Sequence, residues 1–497
     1  MTIKLTDAIR IAGTERAIGT VLTLPAGEEA DYVHRRVAEY VYGNPSLSPH
    51  DPVTGIAYSK LSPMLRRVDN HIVGVPLFAY PRASADHQAA GGFSGGGAPT
   101  LSYTIIDGIP VVGVTSNGGQ CQFDALQFAG RLLPAGRLSC LFYVANPAAF
   151  NSLVLLLGDN AYTNHFSATI SVVQQGMPGW YFATIDPPAT GAYSSLSALT
   201  DQRRWTVGGG TPDFASTSFI NLRMRFNFPA SPNSTVYMAG VWYGEKNVTP
   251  SIVVTADDGY VTQYEALAPL CERYGLRLSM GLIGNLIGQS GYMTSSQLQE
   301  LVARGHECVI HGNPSPTGNL SDYATVAAIR ADIAANREAI RRHGLFRGGN
   351  DERCYVYPQG VYQHAAGDTR IVDAIKAEGI IGARGTTAYS QNLAGRFSAF
   401  NNRFNLTTVG HLWDAADEAA NVARVILRMQ QAVSEGRSPI LVFHKIVASP
   451  SNIIEITAAN AAAILEAASE LVRSGSARGE SLSDLLQRIA VAGEVSY

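Results

Sequence analysis

A change of pattern near residue 250 constrains this chain more than any other feature. After it, strand-like runs appear at "SIVVTA", "LRLSMGLI", "ECVIHG", "CYVYP", "GIIGA", "FNLTTV" and "PILVFH". Helical segments separate most of them, among them "QYEALAPLCERYG", "SSQLQELVARG", "ATVAAIRADIAANREAIRRHG" and "AANVARVILRMQQAVSEG". Thr294 followed by Gln297 forms a capping box, and Gly305 follows that helix on its C-terminal side. Strands alternating with helices predict a parallel, barrel-like sheet over residues 250–497. In such barrels the chemistry gathers at the C-terminal ends of the strands.

The part before the change reads differently. Residues 99–248 hold short β-rich runs at regular spacing, from "YTIIDGIPVVGV" to "TVYMAGVWYG", with turn residues between them and no helix. This is the pattern of an antiparallel, jelly-roll-like β-sandwich, suited to carbohydrate binding or trimer formation. Trp180, Tyr181, Trp205, Trp242 and Tyr243 are the residues that would stack on sugar rings, but such aromatics fit the sandwich core better. Residues 44–98 are rich in proline, glycine and serine and predict a linker, with the glycine run 91–97 as a flexible joint. Residues 1–43 predict a small α+β module: "IRIAG" and "IGTVLTLP" as paired short strands, "EEADYVHRRVAEYV" as a short helix. The expected fold class is therefore multidomain, as 497 residues would require.

Composition excludes several classes of function. The net charge is −3 with no lysine or arginine cluster, so no nucleic-acid partner and no anionic-membrane partner are expected. No apolar run is long enough to span a bilayer, and the N-terminus lacks the apolar core of a signal peptide. The five cysteines are scattered and form neither a disulfide framework nor a metal pair. Synthesis in a reducing cytoplasm is the expectation.

The strand tips of the last region carry a short set of reactive residues. Asp257 and Asp258 end the first strand in "VVTADDGY", His311 ends the third, Pro358, Gln359 and Gly360 follow the fourth, and His444 ends the last. Between the last two lies "HLWDAAD" with Trp413 and Asp414. Adjacent carboxylates repel, so placing two of them at one strand end needs a reason; taken alone, the stretch reads as a solvated Asp-Asp-Gly turn. Carboxylates and histidines on separate strand tips of one barrel are how a metal-assisted hydrolase is built.

These residues resemble the motifs of the polysaccharide deacetylases of the NodB-homology type, carbohydrate esterase family 4, across roughly residues 250–490. "TADDG" is similar to the family's TFDDG, "GHECVIHGNPS" to the stretch leading into H-[ST]-x-x-H, "YVYPQG" to R-x-P-Y-G, "LWD" to the tryptophan-aspartate motif and "LVFH" to the final leucine-x-histidine motif. The resemblance implies a distorted (β/α)7 barrel with Asp257 as general base and His444 as general acid, supported by Asp414. It implies a divalent metal, zinc, on Asp258 and His311. Pro358, Gln359, Gly360 and Trp413 would line the substrate, with the Gln359 N–H in an oxyanion hole. Three positions depart from the pattern. Ser315 stands where the second metal-binding histidine would be, so Asn313 or Ser315 is left to supply a weaker oxygen ligand, or water to fill the position. Val356 stands where the motif has an arginine, and Arg384 in "GARGTT" is the available substitute. Gln359 replaces a tyrosine.

Residues 1–43 resemble small N-terminal modules of phage structural and tail-fibre proteins. Together the two resemblances imply a metal-dependent deacetylase of acetylated bacterial surface polysaccharide. It would act outside the cell as a virion component and, if tail-associated, as a homotrimer. The alternative is a catalytically degenerate barrel retained as a carbohydrate-binding or structural tail component.

Overall fold

The computed structural model describes residues 2–5, 9–11, 14–16, 21–23, 38–40, 75–79, 100–107, 109–116, 119–131, 138–159, 161–171, 178–186, 205–213, 219–229, 234–243, 249–312, 319–363, 368–386, 401–409, 418–434 and 436–493. The chain divides into two compact units, residues 1–66 with 107–109, and residues 67–106 with 110–497.

In the first unit, Thr2–Leu5 pairs antiparallel with both Val21–Thr23 and Ala38–Tyr40, and Ile9–Ile11 forms a hairpin with Thr14–Arg16. The helix expected over residues 28–41 is thus corrected at Ala38–Tyr40, and its residues 28–37 lie outside the described ones. The apolar-polar-apolar triplet "AEY" suits a pleated edge, and pairing with a neighbouring strand overrides helical spacing over so short a run.

The second unit begins with two antiparallel sheets. The first orders Gly179–Ile185, Leu138–Val144, Ser234–Tyr243, Ile109–Ser116 and Thr100–Ile106, with Val75–Ala79 also paired to Ser234–Tyr243. The second orders Thr206–Gly209, His165–Ser171, Ser152–Gly158, Phe219–Asn227 and Gln120–Arg131. Alternate residues of both, including Val112, Val114, Phe142, Leu155, Leu157, Met224 and Phe226, form one buried cluster, which makes the pair a sandwich. Tyr181 and Trp205 belong to that core, and Trp180 and Trp242 are buried as well. Val75–Ala79 lies within the expected linker, which is corrected there; the glycine run 91–97 falls outside the described residues.

The parallel sheet comes next. We label its strands β1 (Ser251–Asp258), β2 (Leu278–Leu282), β3 (Glu307–Ile310), β4 (Cys354–Val356), β5 (Gly382–Arg384) and β6 (Ile440–Phe443). Their order is β5-β4-β3-β2-β1-β6, every pair parallel. The expected strand "FNLTTV" is no ladder. Leu406 makes a single parallel bridge to Arg384 of β5, and Val409 N donates to Ile440 O of β6 at 3.0 Å. The segment thereby joins the two sheet edges and curls the sheet toward closure.

Side-chain alternation divides the strands into two faces. Ile252, Val254 and Ala256 of β1 pack outward with helix residues Leu298, Leu301, Ile329, Ile333 and Ile340. Val253 faces inward with Val309, Cys354 and Ile440. The helix Leu482–Gly493 fills this inner space from below through Leu482, Leu485, Leu486 and Ile489. Each such side chain contributes about 1.5–3 kcal/mol on burial. Ser279 Oγ accepts from Leu482 N at 2.9 Å and Glu307 from Ser483 N at 3.0 Å, which fixes the plug.

The sandwich and the parallel sheet belong to one unit. Buried Arg437, just before β6, forms an ion pair with buried Asp186 of the sandwich. The two expected domains therefore share an interface.

Candidate active site

The inward-facing column of β1 runs Val253, Thr255, Asp257 and ends at the mouth opposite the plug. Asp257 is 4% exposed and Arg384 is 0% exposed. Arg384 donates through Nη1 to Asp257 Oδ2 at 3.1 Å and through Nη2 to Oδ1, a two-pronged ion pair. The position of Arg384 has a simple geometric basis. Val356 and Arg384 are register partners on adjacent strands β4 and β5. Moving the arginine one strand sideways keeps it in the same layer of the sheet.

His444 follows β6, and its Nε2 lies 3.8 Å from Asp257 Oδ2. On the other side stands His311, at the tip of β3. Its Nδ1 is 3.0 Å from Val356 O. A carbonyl only accepts, so Nδ1 carries the proton and Nε2 is directed at Asp258, 3.3 Å from Oδ1. Asp258 itself has a φ of 72°, unusual for a residue with a side chain. That left-handed turn carries the second carboxylate toward His311 rather than out of the strand. On β2, Gly281 is the register partner of Asp257, and a Cβ there would meet both Asp257 Oδ1 and the His311 side chain at 3.4 Å. The missing side chain leaves room for both to face the mouth.

The charges are strongly coupled. Burial alone would raise the Asp257 carboxyl, but Arg384, then His311 and His444, hold it well below the usual carboxylate range. Burial likewise opposes ionisation of Asp258, and the hydrogen bond and charge of His311 reverse it, so its pKa is lowered. Burial would lower His311, yet Asp257 and Asp258 raise it. His444 goes the other way: burial lowers it and the two aspartates only partly compensate.

An imidazole lone pair and a carboxylate oxygen facing each other at 3.3 Å require a cation between them, a proton or a metal. The pair Asp258 and His311 fits a divalent ion in donor chemistry, with the hydrogen bond from His311 Nδ1 to Val356 O orienting the ring. Among the described residues no group of three or more His, Cys, Asp or Glu side chains could hold a metal. Asn313 and Ser315, the expected oxygen donors, lie outside the described residues, as do Trp413 and Asp414. His444 Nδ1, where Asp414 was expected, has no hydrogen-bond partner among the described residues. Pro358, Gln359 and Gly360 form a tight turn after β4 with Gln359 at φ 53°. Gly360 and Val361 donate to Tyr357 O and Pro358 O, which leaves the Gln359 N–H outside the turn's own bonds.

One functional residue was not anticipated. Gln263 is fully buried, and its Nε2 donates to Asp257 O at 2.5 Å and to His444 O at 3.1 Å. It clamps the backbones that carry the two groups facing each other across the mouth. Gln263 begins a π-helical turn, Gln263–Leu267, that precedes the helix Ala268–Arg273. Pro269 has no N–H and its ring crowds the carbonyl four residues back, which accounts for the widened turn. Gln263→Leu would strip both carbonyls of a partner. We expect a loss of about 1–3 kcal/mol in unfolding free energy. Turnover should fall with little change in KM, which melting curves and steady-state kinetics would separate. The only available sequence signal was a glutamine five residues after the second of the paired aspartates, before a proline.

His306, by contrast, is structural: its Nδ1 accepts from Leu278 N at 3.0 Å and its Nε2 lies 3.0 Å from Glu272 Oε1.

Comparison with known proteins bears on this site. The family model described as polysaccharide deacetylase matches residues 244–374. That span holds Asp257, Asp258, His311 and Pro358–Gly360, while Arg384 and His444 lie beyond it. The putative polysaccharide deacetylase YxkH of Bacillus subtilis (strain 168) is 32% identical over 54 residues, which are 11% of this chain and 19% of that protein. The chain thus spans about a fifth of the length of the curated relative it matches. Among solved structures, a family 4 carbohydrate esterase from Streptomyces lividans in complex with acetate is 16% identical, covering 46% of this chain and 90% of its own, with a TM-score of 0.29. A putative polysaccharide deacetylase from Mycobacterium smegmatis is 10% identical, covering 50% and 93%, with a TM-score of 0.35.

Proposed function

We propose that this protein is a metal-dependent hydrolase that removes acetyl groups from bacterial surface polysaccharide. One observation carries the reading. Asp257, held by Arg384, faces His444 across a mouth that also presents the Asp258–His311 pair. The family match over residues 244–374 supports the same chemistry.

Asp257 accepts the proton of a water attacking the acetyl carbonyl, and Arg384 keeps that carboxylate ionised and aimed. His444 Nε2 delivers a proton to the departing hydroxyl or amine. The Gln359 N–H donates to the oxyanion. Asp258 and His311 would hold a divalent cation, zinc in our reading, which supplies Lewis-acid stabilisation of the acetyl oxygen and a lower pKa for water. For location we propose a virion-associated, homotrimeric protein acting outside the cell, a reading that rests on the sequence of residues 1–43.

Acetate release from acetylated polysaccharide, with and without chelator, tests the activity. Release that chelator abolishes and zinc restores is the expected result; no release from any acetylated saccharide would overturn it. Ser315→His should tighten zinc binding about tenfold or more, the size of change that even outer-shell substitutions produce. Calorimetry that finds tight zinc in the parent and no gain in the variant would place another donor in the third position. The two-ligand count among the described residues favours one rival reading, a catalytically degenerate barrel that binds carbohydrate. Saccharide binding without acetate release would establish that rival.

A further inference from the structure

The rim of the mouth carries an aromatic pair and an ammonium group beside the groups already assigned. Tyr260 follows Asp258 by two residues, and Lys445 directly follows His444. Tyr260 and Tyr292 form an antiparallel backbone bridge, flanked by Val261 N to Gly291 O at 3.0 Å and Met293 N to Gly259 O at 2.9 Å. Their rings stack with centroids 5.1 Å apart and planes 21° from parallel. Lys445 Nζ lies 4.6 Å from the centroid of the Tyr260 ring. All three side chains are half-buried, so each keeps part of its surface open to solvent.

The charges of the catalytic layer are balanced in pairs, Arg384 by Asp257 and His311 by Asp258. Lys445 forms no ion pair among the described residues. Its register partner Glu455, on the short strand pair Lys445–Ile446 and Glu455–Ile456, accepts instead from Ser451 N and Oγ at 2.8 and 2.9 Å. Lys445 acts on that carboxylate only at a distance. A cation whose ammonium lies over an aromatic ring, next in sequence to the proposed acid, is placed to meet a negative charge on the substrate. With Tyr292 and the Lys445 ammonium both set against the Tyr260 ring, the outer face of Tyr292 is the flat, weakly polar surface of the kind that receives the C–H face of a pyranose.

We propose that Tyr260, Tyr292 and Lys445 form a subsite for the sugar next to the acetylated one, and that this sugar is anionic, a uronate-type residue whose carboxylate meets Lys445. The substrate class becomes an acidic acetylated polysaccharide. This rests on the deacetylase reading for the acetyl group, but recognition of the neighbouring sugar is testable without turnover.

The test is calorimetric binding of acetylated oligogalacturonate and of neutral acetylated xylo-oligosaccharide to the chelator-treated full chain, with acetate release measured separately on the untreated protein. The anionic probe should bind at least about tenfold more tightly at low salt, and about 0.5 M salt should remove the difference by screening. Lys445→Gln should abolish the preference, Lys445→Arg should retain it, and Tyr292→Ala should weaken both probes. Unchanged melting temperatures would show that the variants fold. Equal affinity for the two probes, an unchanged preference in Lys445→Gln, or no binding of either would overturn the subsite. Preferential binding with no acetate release would uphold the subsite and overturn the deacetylase reading. Acetate release without charge preference would do the reverse.

Discussion

Asp257→Asn is expected to lower acetate release at least about a hundredfold, and His444→Gln by a similar factor, as for a lost general base or acid. Because the two groups act on one transition state, the double variant should be little worse than either single one. The pH profile gives an independent check. His444 must be protonated to act as the acid, and burial lowers its pKa from the ordinary imidazole value of about 6.5. The protonated fraction falls as pH rises through that lowered value, so the alkaline limb should lie on the acid side of neutrality. Asp257 must be ionised, and its depressed pKa keeps it so well below the usual carboxylate range. His444→Gln should lose the alkaline limb and keep the acid one. A profile unchanged by His444→Gln would remove the acid assignment.

Arg384→Leu should have the largest effect on stability. It leaves Asp257, 4% exposed, without its ion-pair partner, and removing one member of a buried pair costs about 3–5 kcal/mol. The sign of the pH dependence should also reverse. In the parent the folded pKa of Asp257 is depressed, so its contribution is complete above the unfolded value of about 3.9 and is lost as pH falls through the folded pKa. In the variant burial is opposed only by His311 and His444, so the folded pKa rises. The penalty is then largest at neutral pH and shrinks as acid protonates the carboxyl. Melting temperature against pH for both proteins would show this, and Arg384→Leu combined with Asp257→Leu should recover much of the loss. Parallel pH curves for parent and single variant would mean that the pair contributes little.

The sequence disclosed the site wherever chemistry coincided with a strand tip. Asp257, Asp258, His311 and His444 each follow a run of apolar residues, and the structure brings all four to one mouth. Arg384 was legible as a replacement because it, too, ends a strand. Gln263 was not, because its importance lies in two backbone carbonyls that become neighbours only in the folded sheet. The sandwich shows the same limit. Ser152–Gly158 and Leu138–Val144 are strongly apolar and read as strands. Gln120–Arg131, "QCQFDALQFAGR", does not alternate cleanly and is interrupted by register shifts against its neighbour, so nothing in its pattern marked a strand. Val75–Ala79 carries a proline that argues against an interior strand; it occurs at the sheet position where Val75 and Pro76 meet an irregular register.

The pairing of β1 with β6 also has a kinetic consequence. Thr255 and Leu441, joined by a hydrogen bond of 2.9 Å, stand 186 positions apart in sequence. Joining strands so distant requires closing a very long loop before the contact returns any free energy, which slows such steps relative to local ones. The β1–β6 seam is the one that brings Asp257 beside His444. On refolding from denaturant, catalytic competence should therefore appear after most of the helical signal has returned, as a separate slow phase. A substitution that loosens the seam, such as Thr255→Val, which removes that bond, would leave β1 presenting an unpaired edge for longer, and aggregation during refolding would rise with protein concentration.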